Sequence, residues 1–116
     1  MRTFFEFARE QINPDFALWG GDSVPDSIST LSLEGNVAQV KKVTREVMNS
    51  FPDTKIFATI GNHDTYPQDI FKMKQPHQTQ AVREWSQEWF RFDFLQSDEA
   101  RQTFTDYGYY SAPLTY

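Results

Sequence analysis

Two short apolar runs, each followed directly by glycine, flank one helical stretch, and they constrain the fold of this chain more than any other feature. The runs cover residues 15–19 and 55–60. Short apolar runs ended by glycine are typical of buried strands. Residues 36–51 between them form a predicted helix that Asn36 would cap. Its apolar side chains recur at intervals of three and four: Val37, Val40, Val43, Val47 and Phe51. Strand, helix and strand in this order favour an α/β fold, with parallel strands joined by a crossover helix.

The rest of the chain is interpreted from the same local signals. Residues 1–13 are predicted to form a helix that ends before Pro14, because the residue preceding a proline is pushed out of the helical region. Residues 23–35 and 68–78 are polar, and prolines lie in or beside them, so loops are predicted there. The remaining predicted elements are a long helix from Thr79 with Trp85, Trp89 and Phe92 on one face, a short helix over residues 97–104 and a third strand over residues 107–112.

Composition narrows the class of protein. The net charge of -5 and the isoelectric point near 4.9 argue against binding to nucleic acid, which normally requires a basic surface. No stretch approaches the roughly 20 apolar residues of a transmembrane helix. Glu6 and Arg9 interrupt the apolar region that a signal peptide would need. The chain has no cysteine, so disulfides and thiolate chemistry are excluded. We therefore expect an acidic, soluble, globular domain.

The residues that follow the two predicted strands carry the chemistry. Asp22 follows the first strand, and Gly61-Asn62-His63-Asp64 follows the second. Because ligands of α/β sheets gather beyond the carboxyl ends of the strands, both loops should open on the same side. A carboxylate, an amide oxygen and an imidazole are suitable ligands for divalent metals such as Zn, Mn or Fe. Taken one at a time, the two segments could equally be a plain turn and a capping turn.

These segments resemble the calcineurin-like metallophosphoesterases, and within that family the acid sphingomyelinase branch. The resemblance rests on residues 15–22 (Asp-Phe-Ala-Leu-Trp-Gly-Gly-Asp), with Pro25 close behind, and on residues 60–67 (Ile-Gly-Asn-His-Asp-Thr-Tyr-Pro). The Trp-rich helix that leads into residues 108–111 (Gly-Tyr-Tyr-Ser) adds context. The similarity runs from about residue 14 to about residue 113. It implies a β-sandwich flanked by helices, of which this chain would supply βαβ units.

The resemblance also implies roles for three residues. Asp22 would bridge two divalent metal ions, most often zinc, and Asn62 would bind one of them through its side-chain oxygen. His63 would protonate the leaving alkoxide, or at least stabilise charge on the phosphoryl group. Imidazoles titrate near neutral pH, which suits that role. The implied reaction is hydrolysis of a phosphodiester such as sphingomyelin, and relatives work in lysosomal or extracellular spaces.

The chain departs from the family pattern in its number of metal ligands. The family's site begins with an Asp-x-His motif and ends with several histidines on later strands. Here no Asp-x-His precedes Asp22, and only two histidines occur, His63 and His77. His77 is interpreted as a solvated loop residue. We therefore expect residues 1–116 to be a single partial domain that lacks the first and last ligand motifs, either an internal fragment of a larger enzyme or a truncated relative.

A second departure lies at Asp26. Sphingomyelinase-like relatives tend to carry a histidine just after the proline of the first loop, where this chain has Pro25-Asp26. A carboxylate at that position would repel a phosphodiester, but it could orient His63 through a hydrogen bond. The alternative is an ordinary loop carboxylate.

Two further interpretations remain open. One is a non-catalytic α/β module that keeps the fold and uses the two loops for binding or assembly. The other is a phosphomonoesterase or nucleotide phosphodiesterase of the same family, because the metal motifs do not identify the substrate. Whichever holds, the chain by itself is expected to be inactive or weakly active.

Overall fold

The protein is an α/β chain in which a small parallel sheet is covered by helices. None of the helices within the described ranges is both long and apolar enough to cross a membrane. The computed structural model describes residues 3–26, 32–72, 76–91 and 95–113.

The sheet consists of two parallel strands, β1 (Phe16–Trp19) and β2 (Lys55–Ala58). Trp19 lies opposite Ala58, and the N–H of Thr59 donates to the carbonyl of Trp19 at 2.9 Å. Both predicted strands and their parallel arrangement are confirmed. The carboxyl ends of β1 and β2 therefore lie side by side, which brings the two following loops to one edge of the sheet.

The N-terminal helix is also confirmed. It consists of α1 (Phe4–Phe7) and a π-helical turn (Ala8–Ile12). The side chains of Thr3 and Glu6 form a reciprocal capping box at its start. Asn13 ends it in the left-handed conformation, with φ of 47°. An asparagine tolerates that conformation, and the proline that follows excludes a further helical turn.

The crossover helix α2 (Leu33–Ser50) begins earlier than predicted. Its N-cap is Ser32, whose hydroxyl accepts from the N–H of Gly35 at 3.2 Å. The prediction that Asn36 caps this helix was therefore wrong, as was the extension of the loop to residue 35. Serine and asparagine are comparable caps, and the position that has a free N–H three residues ahead determines which one is used. Asn36 is instead buried within the helix.

Helix α3 (Pro76–Arg91) likewise starts before the predicted Thr79. The prediction of a loop over residues 68–78 is wrong for its last three residues. Proline is favoured in the first turn of a helix because its missing N–H would have no partner there. His77 consequently lies in α3, and the surroundings of its side chain fall outside the described part of the chain.

The last described helix, α4 (Asp98–Tyr107), confirms the helix predicted near residues 97–104 and extends it. Ser97 caps its start, and Gly108, with φ of 78°, ends it in the left-handed conformation. The third strand predicted over residues 107–112 is wrong, because the structure has no strand within residues 95–113. A tyrosine-rich run between Gly108 and Pro113 resembles a strand locally, but Tyr107 completes the helix and Gly108 ends it.

Tyr110 nevertheless takes the place of a neighbouring strand at one point. Its hydroxyl donates to the carbonyl of Ala58 at 3.0 Å and lies 3.0 Å from the N–H of the same residue, from which it accepts. The side chain thus satisfies both backbone groups of Ala58. Burial raises the pKa of Tyr110, with the backbone hydrogen bond acting weakly in the opposite direction.

The three largest fully buried side chains of the core are aromatic: Trp85, Trp89 and Phe104. Trp85 and Trp89 are buried on the inner face of α3, as predicted, whereas Phe92 lies outside the described residues. The ring of Trp89 lies 4.9 Å from Phe104 and 6.0 Å from Trp19. Because Trp19 ends β1, this stack connects the helices directly to the end of the sheet where the two loops begin.

Two ion pairs fasten α2 to α3. Lys41 contacts Glu84 at 2.8 Å, and Arg45 contacts Glu88 at 2.7 Å. The hydrogen bond from Lys41 lowers the pKa of Glu84. Partly exposed pairs of this kind contribute up to about 1 kcal/mol each. They orient the helix pair, and the aromatic core supplies most of its stability.

Candidate metal centre

The loops after β1 and β2 touch. The backbone N–H of His63 donates to Asp22 Oδ1 at 3.2 Å. A Cβ at Gly61 would overlap the Asp22 carboxylate, and a Cβ at Gly21 would overlap the backbone of Gly61. Gly21 also has φ of 81°, which favours glycine. Glycine is therefore required at both positions for this approach, and the topology-based prediction that the loops converge agrees with the structure.

Asp64 joins the two loops, and the sequence analysis assigned it no role. Its Oδ2 accepts from the N–H groups of Asp22 at 3.0 Å and Gly61 at 2.9 Å, and its Oδ1 accepts from Ser23 at 2.7 Å. Only 2% of Asp64 is exposed. Aspartate often accepts backbone N–H bonds near turns, so its place three residues after Gly61 was an available signal. The three bonds fix the backbone beneath Asp22.

The surroundings of Asp64 disfavour its charged form. Burial raises its pKa, the three backbone donors partly offset that rise, and the nearby charge of Asp22 adds to it. Two carboxylates in contact with the same backbone segment create a negative field at this edge of the sheet. A bound cation would reduce that repulsion.

From its position in α2, Asn36 forms hydrogen bonds with the loop that follows β2. Its Nδ2 donates to the carbonyl of Thr65 at 3.0 Å and lies 3.4 and 3.5 Å from the carbonyls of His63 and Asp64. The side chain is buried, which explains why a polar residue occupies the inner face of α2. Asparagine at this position therefore orients the metal-site loop and does not cap the helix.

His63 is held by one ring nitrogen. Its Nδ1 lies 3.3 Å from the carbonyl of Val24 and 3.2 Å from Asp26 Oδ1. Both partners are acceptors, so Nδ1 carries a proton and Nε2 is the nitrogen left for chemistry. The Asp26 carboxylate is 82% exposed, so the contact contributes direction and little energy. The distance agrees with the orienting role considered for Asp26.

Asn62 is held at its amide nitrogen. Its Nδ2 donates to Asp69 Oδ1 at 2.6 Å. The same loop is tightened by Thr65, whose hydroxyl donates to the carbonyl of Asn62 at 2.8 Å. Among the described residues, Asn62 Oδ1 and Asp22 Oδ2 have no hydrogen-bond donor. The oxygen atoms that could bind a metal are therefore the ones left open.

The donor atoms fit a divalent metal in kind but not in number. Asp22 and Asn62 supply oxygen ligands, which suit hard and borderline cations. The described ranges contain no group of three or more His, Cys, Asp or Glu residues that could hold a metal ion. Within those ranges the two loops therefore offer two oxygen donors, which is fewer than a divalent metal ion requires.

A cavity of about 190 Å³ opens beside Asn62. Asn62 and Asp69 line its polar side, and Phe71 and Ile60 line its apolar side. Trp19 lies beneath the loops, where its indole N–H donates to the carbonyl of Gly21 at 3.3 Å. The cavity offers space for a small group next to the candidate ligands.

Parallel strands whose following loops converge on a carboxylate, an amide and an imidazole define an α/β protein with a candidate metal site at the carboxyl edge of its sheet. The chain belongs to the calcineurin-like phosphoesterase family, whose family model matches residues 1–116. The resemblance found in the sequence motifs is thus confirmed.

Curated relatives point to one branch of that family. The chain is 32% identical over 111 residues to the acid sphingomyelinase-like phosphodiesterase 3b of Mus musculus, covering 93% of this chain and 23% of the relative. It is 32% identical over 118 residues to sphingomyelinase phosphodiesterase C of Dictyostelium discoideum, covering 96% and 24%. It is 29% identical over 101 residues to the human cyclic GMP-AMP phosphodiesterase SMPDL3A, covering 86% and 21%. The chain therefore spans less than a quarter of the length of these relatives.

Proposed function

We propose that this chain carries part of the active site of a metal-dependent phosphodiesterase. The observation that supports this most is the hydrogen bond from the His63 backbone N–H to the Asp22 carboxylate. Asp64 joins the same two loops by accepting from the N–H groups of Asp22 and Gly61. The loops that carry Asp22, Asn62 and His63 meet at the carboxyl edge of the sheet, which supports the proposal. Family membership and the names of the relatives favour a phosphodiester as substrate.

Asp22 and Asn62 are the proposed metal ligands, Asp22 as the bridging carboxylate between two divalent ions and Asn62 through its Oδ1. Zinc is the proposed metal. When bound, two such ions supply Lewis acidity and an activated water for attack on phosphorus. The contribution of this chain is to hold both oxygen donors open and rigid.

His63 is the proposed general acid. In this role His63 would act as an imidazolium: Nδ1–H donates to Val24 and Asp26, and the second proton, on Nε2, would pass to the leaving oxygen as its bond to phosphorus breaks, which leaves a neutral imidazole. We propose that Asp26 keeps the ring in that orientation. The Asp26 carboxylate would repel a phosphodiester only weakly, because it is largely exposed and water screens its charge.

Further ligands are required, since two oxygen donors cannot hold a binuclear centre. We infer that residues 1–116 form part of one larger domain in which other strands supply the remaining histidine and aspartate ligands. The chain alone is expected to bind metal weakly and to be inactive or nearly so.

The substrate class has two candidates. A sphingomyelin-like phosphodiester is favoured by the sphingomyelinase relatives. A nucleotide phosphodiester is favoured by the similarity to a cyclic GMP-AMP phosphodiesterase. Activity of the complete gene product on sphingomyelin vesicles, compared with its activity on a cyclic dinucleotide, distinguishes them.

The test of the catalytic proposal is hydrolysis of bis(p-nitrophenyl) phosphate by the complete gene product after chelation and readdition of Zn²⁺ or Mn²⁺. Activity should depend on the metal and should be lost in Asp22→Ala. Asp53→Ala is the matched control, because Asp53 lies exposed in the turn before β2. A folded, metal-loaded protein without hydrolysis would support the non-catalytic module instead.

The role of Asp26 has its own test. In Asp26→Asn the carboxylate charge is removed while an acceptor for His63 remains possible. We expect the pH–rate profile to change because the partner of the imidazole changes. An unchanged profile would exclude the orienting role and leave Asp26 as an ordinary loop residue.

A further inference from the structure

We propose that Asp69 is the positioning residue for Asn62, setting which end of its amide faces a bound metal. This inference rests on the proposed function, in which Asn62 Oδ1 is a metal ligand. An asparagine amide presents an oxygen at one end and a nitrogen at the other, and the two ends have nearly the same shape. Only the oxygen can bind a cation, so a site that uses asparagine needs a device that selects the orientation.

Asp69 has the geometry of such a device. Its Oδ1 accepts from Asn62 Nδ2 at 2.6 Å, and its own backbone N–H donates to the carbonyl of Asn62 at 3.1 Å. The two bonds connect the same pair of residues, one through side chains and one through the backbone. Asp69 has φ of 64°, a conformation that aspartate tolerates better than most residues. Both the place and the direction of its carboxylate are therefore determined by the turn.

A carboxylate at position 69 selects only one of the two orientations of the Asn62 amide. An ionised carboxylate accepts hydrogen bonds and cannot donate them, so it pairs with Nδ2 and rejects Oδ1. With Nδ2 directed to Asp69, Oδ1 is directed away from it. Within the described part of the chain, no donor occupies that oxygen. Removing a residue that hydrogen-bonds to a metal ligand typically lowers metal affinity by about 10–100-fold.

The left-handed backbone of Asp69 permits a matched pair of variants. Asp69→Gly removes the acceptor and is unstrained at φ of 64°. Asp69→Asn keeps an acceptor oxygen and tolerates the same conformation. Comparing the two separates loss of the hydrogen bond from disturbance of the turn, which an alanine variant would not do.

The first measurement needs no metal. Selective ¹⁵N-asparagine labelling gives one side-chain amide pair for each asparagine in an NMR spectrum, and four of these pairs come from residues 1–116. Asn62→Ser identifies the pair of Asn62. We expect one of its protons to be shifted downfield by the carboxylate, to be shifted less in Asp69→Asn, whose amide can accept from Nδ2 or donate to Oδ1, and to return to the free value in Asp69→Gly. An Asn62 pair that is identical in the original protein and in Asp69→Gly would overturn the proposal.

The second measurement is the affinity of the complete gene product for Mn²⁺, followed by the electron paramagnetic resonance signal of the free ion. Asp69→Gly should weaken binding by about 10–100-fold, and Asp69→Asn should weaken it less, because its amide can still accept from Nδ2 but does not exclude the reversed orientation. Asn62→Ala combined with Asp69→Gly should be no weaker than Asn62→Ala alone, because Asp69 acts only through Asn62.

The two measurements separate failure of this inference from failure of the proposed function. If Asn62→Ala leaves Mn²⁺ affinity unchanged, the ligand role of Asn62 is wrong, while the NMR result still decides whether Asp69 orients the amide. If Asn62→Ala weakens binding and Asp69→Gly does not, Asn62 remains a ligand and the positioning role of Asp69 is refuted.

Discussion

Replacing Asp64 with alanine should lower the free energy of unfolding by about 3 kcal/mol, because three backbone N–H groups lose a shared acceptor. Those donors belong to Asp22, Ser23 and Gly61. The Ser23 bond is buried, whereas the other two are only partly buried. Two of these bonds, to Asp22 and Ser23, join segments more than 40 positions apart, so the effect should exceed that of an ordinary surface substitution.

The magnitude follows from burial. An unsatisfied buried donor costs about 1–3 kcal/mol, and this applies to the N–H of Ser23. The N–H groups of Asp22 and Gly61 can regain water, so each contributes about 0.5–1 kcal/mol. Asp64→Asn should lose about half as much as the alanine variant, because its amide oxygen can keep the two bonds made by Oδ2.

The pH dependence of this difference has a definite sign. Burial raises the pKa of Asp64 in the folded protein above the ordinary value of 3.8. Between those two pKa values the folded state binds a proton that the unfolded state has lost, so stability falls as pH rises. The contribution is therefore fully present below pH 3.8 and is lost as pH rises through the folded pKa. The advantage of the original protein over Asp64→Asn should shrink on going from acid to neutral pH.

Urea unfolding followed by tryptophan fluorescence measures both quantities, at pH 7 and across the acid range. Asp53→Ala serves as the control for loss of an exposed carboxylate. A loss below about 1 kcal/mol in Asp64→Ala would refute the reasoning that this carboxylate joins the loops. An advantage over Asp64→Asn that grows with pH would refute the assigned direction of the pKa shift.

Three further perturbations follow from the same contacts. Asn36→Ala should cost about 1–2 kcal/mol in urea unfolding, because the carbonyls of the second loop lose their donor; an unchanged midpoint would contradict that. Gly61→Ala should abolish the contact with Asp22 and with it metal binding in the complete gene product, since the added Cβ overlaps the carboxylate; retained Mn²⁺ affinity would show that the loops can separate. Tyr110→Phe should cost about 1 kcal/mol by freeing both backbone groups of Ala58. Because burial raises the pKa of Tyr110, its contribution should be fully present below pH 10.0 and should be lost as pH rises through the folded pKa, a dependence that the phenylalanine variant must lack.

Local signals in the sequence determined the elements that position the site. Apolar runs ended by glycine identified β1 and β2, and the spacing of valines identified α2. Because the carboxyl ends of parallel neighbours share one edge, those three elements were enough to predict that the loops carrying Asp22 and Asn62 converge. The motif residues then identified the family, which the comparison with known proteins confirmed.

The errors occurred where two local signals compete. Ser32 and Asn36 are both good helix caps, and the start of α2 depends on which one meets a free N–H. The tyrosine-rich run after Tyr107 resembles a strand, but α4 continues through Tyr107 and ends at Gly108. Local pattern does not separate these outcomes, because the Asn36 and Tyr110 side chains find their partners in distant parts of the chain.

Tertiary structure alone decided how the site is held. Asp64 reaches across more than 40 positions to Ser23, Asn36 reaches the second loop from α2, and the Tyr110 hydroxyl occupies the edge of β2. None of these partners follows from spacing along the chain. A buried polar group must find a hydrogen-bond partner, and which partner it finds depends on what the folded chain brings within about 3 Å. The sequence by itself therefore determined where the candidate site lies, and the packing of distant segments decided which of its polar atoms are already engaged in hydrogen bonds.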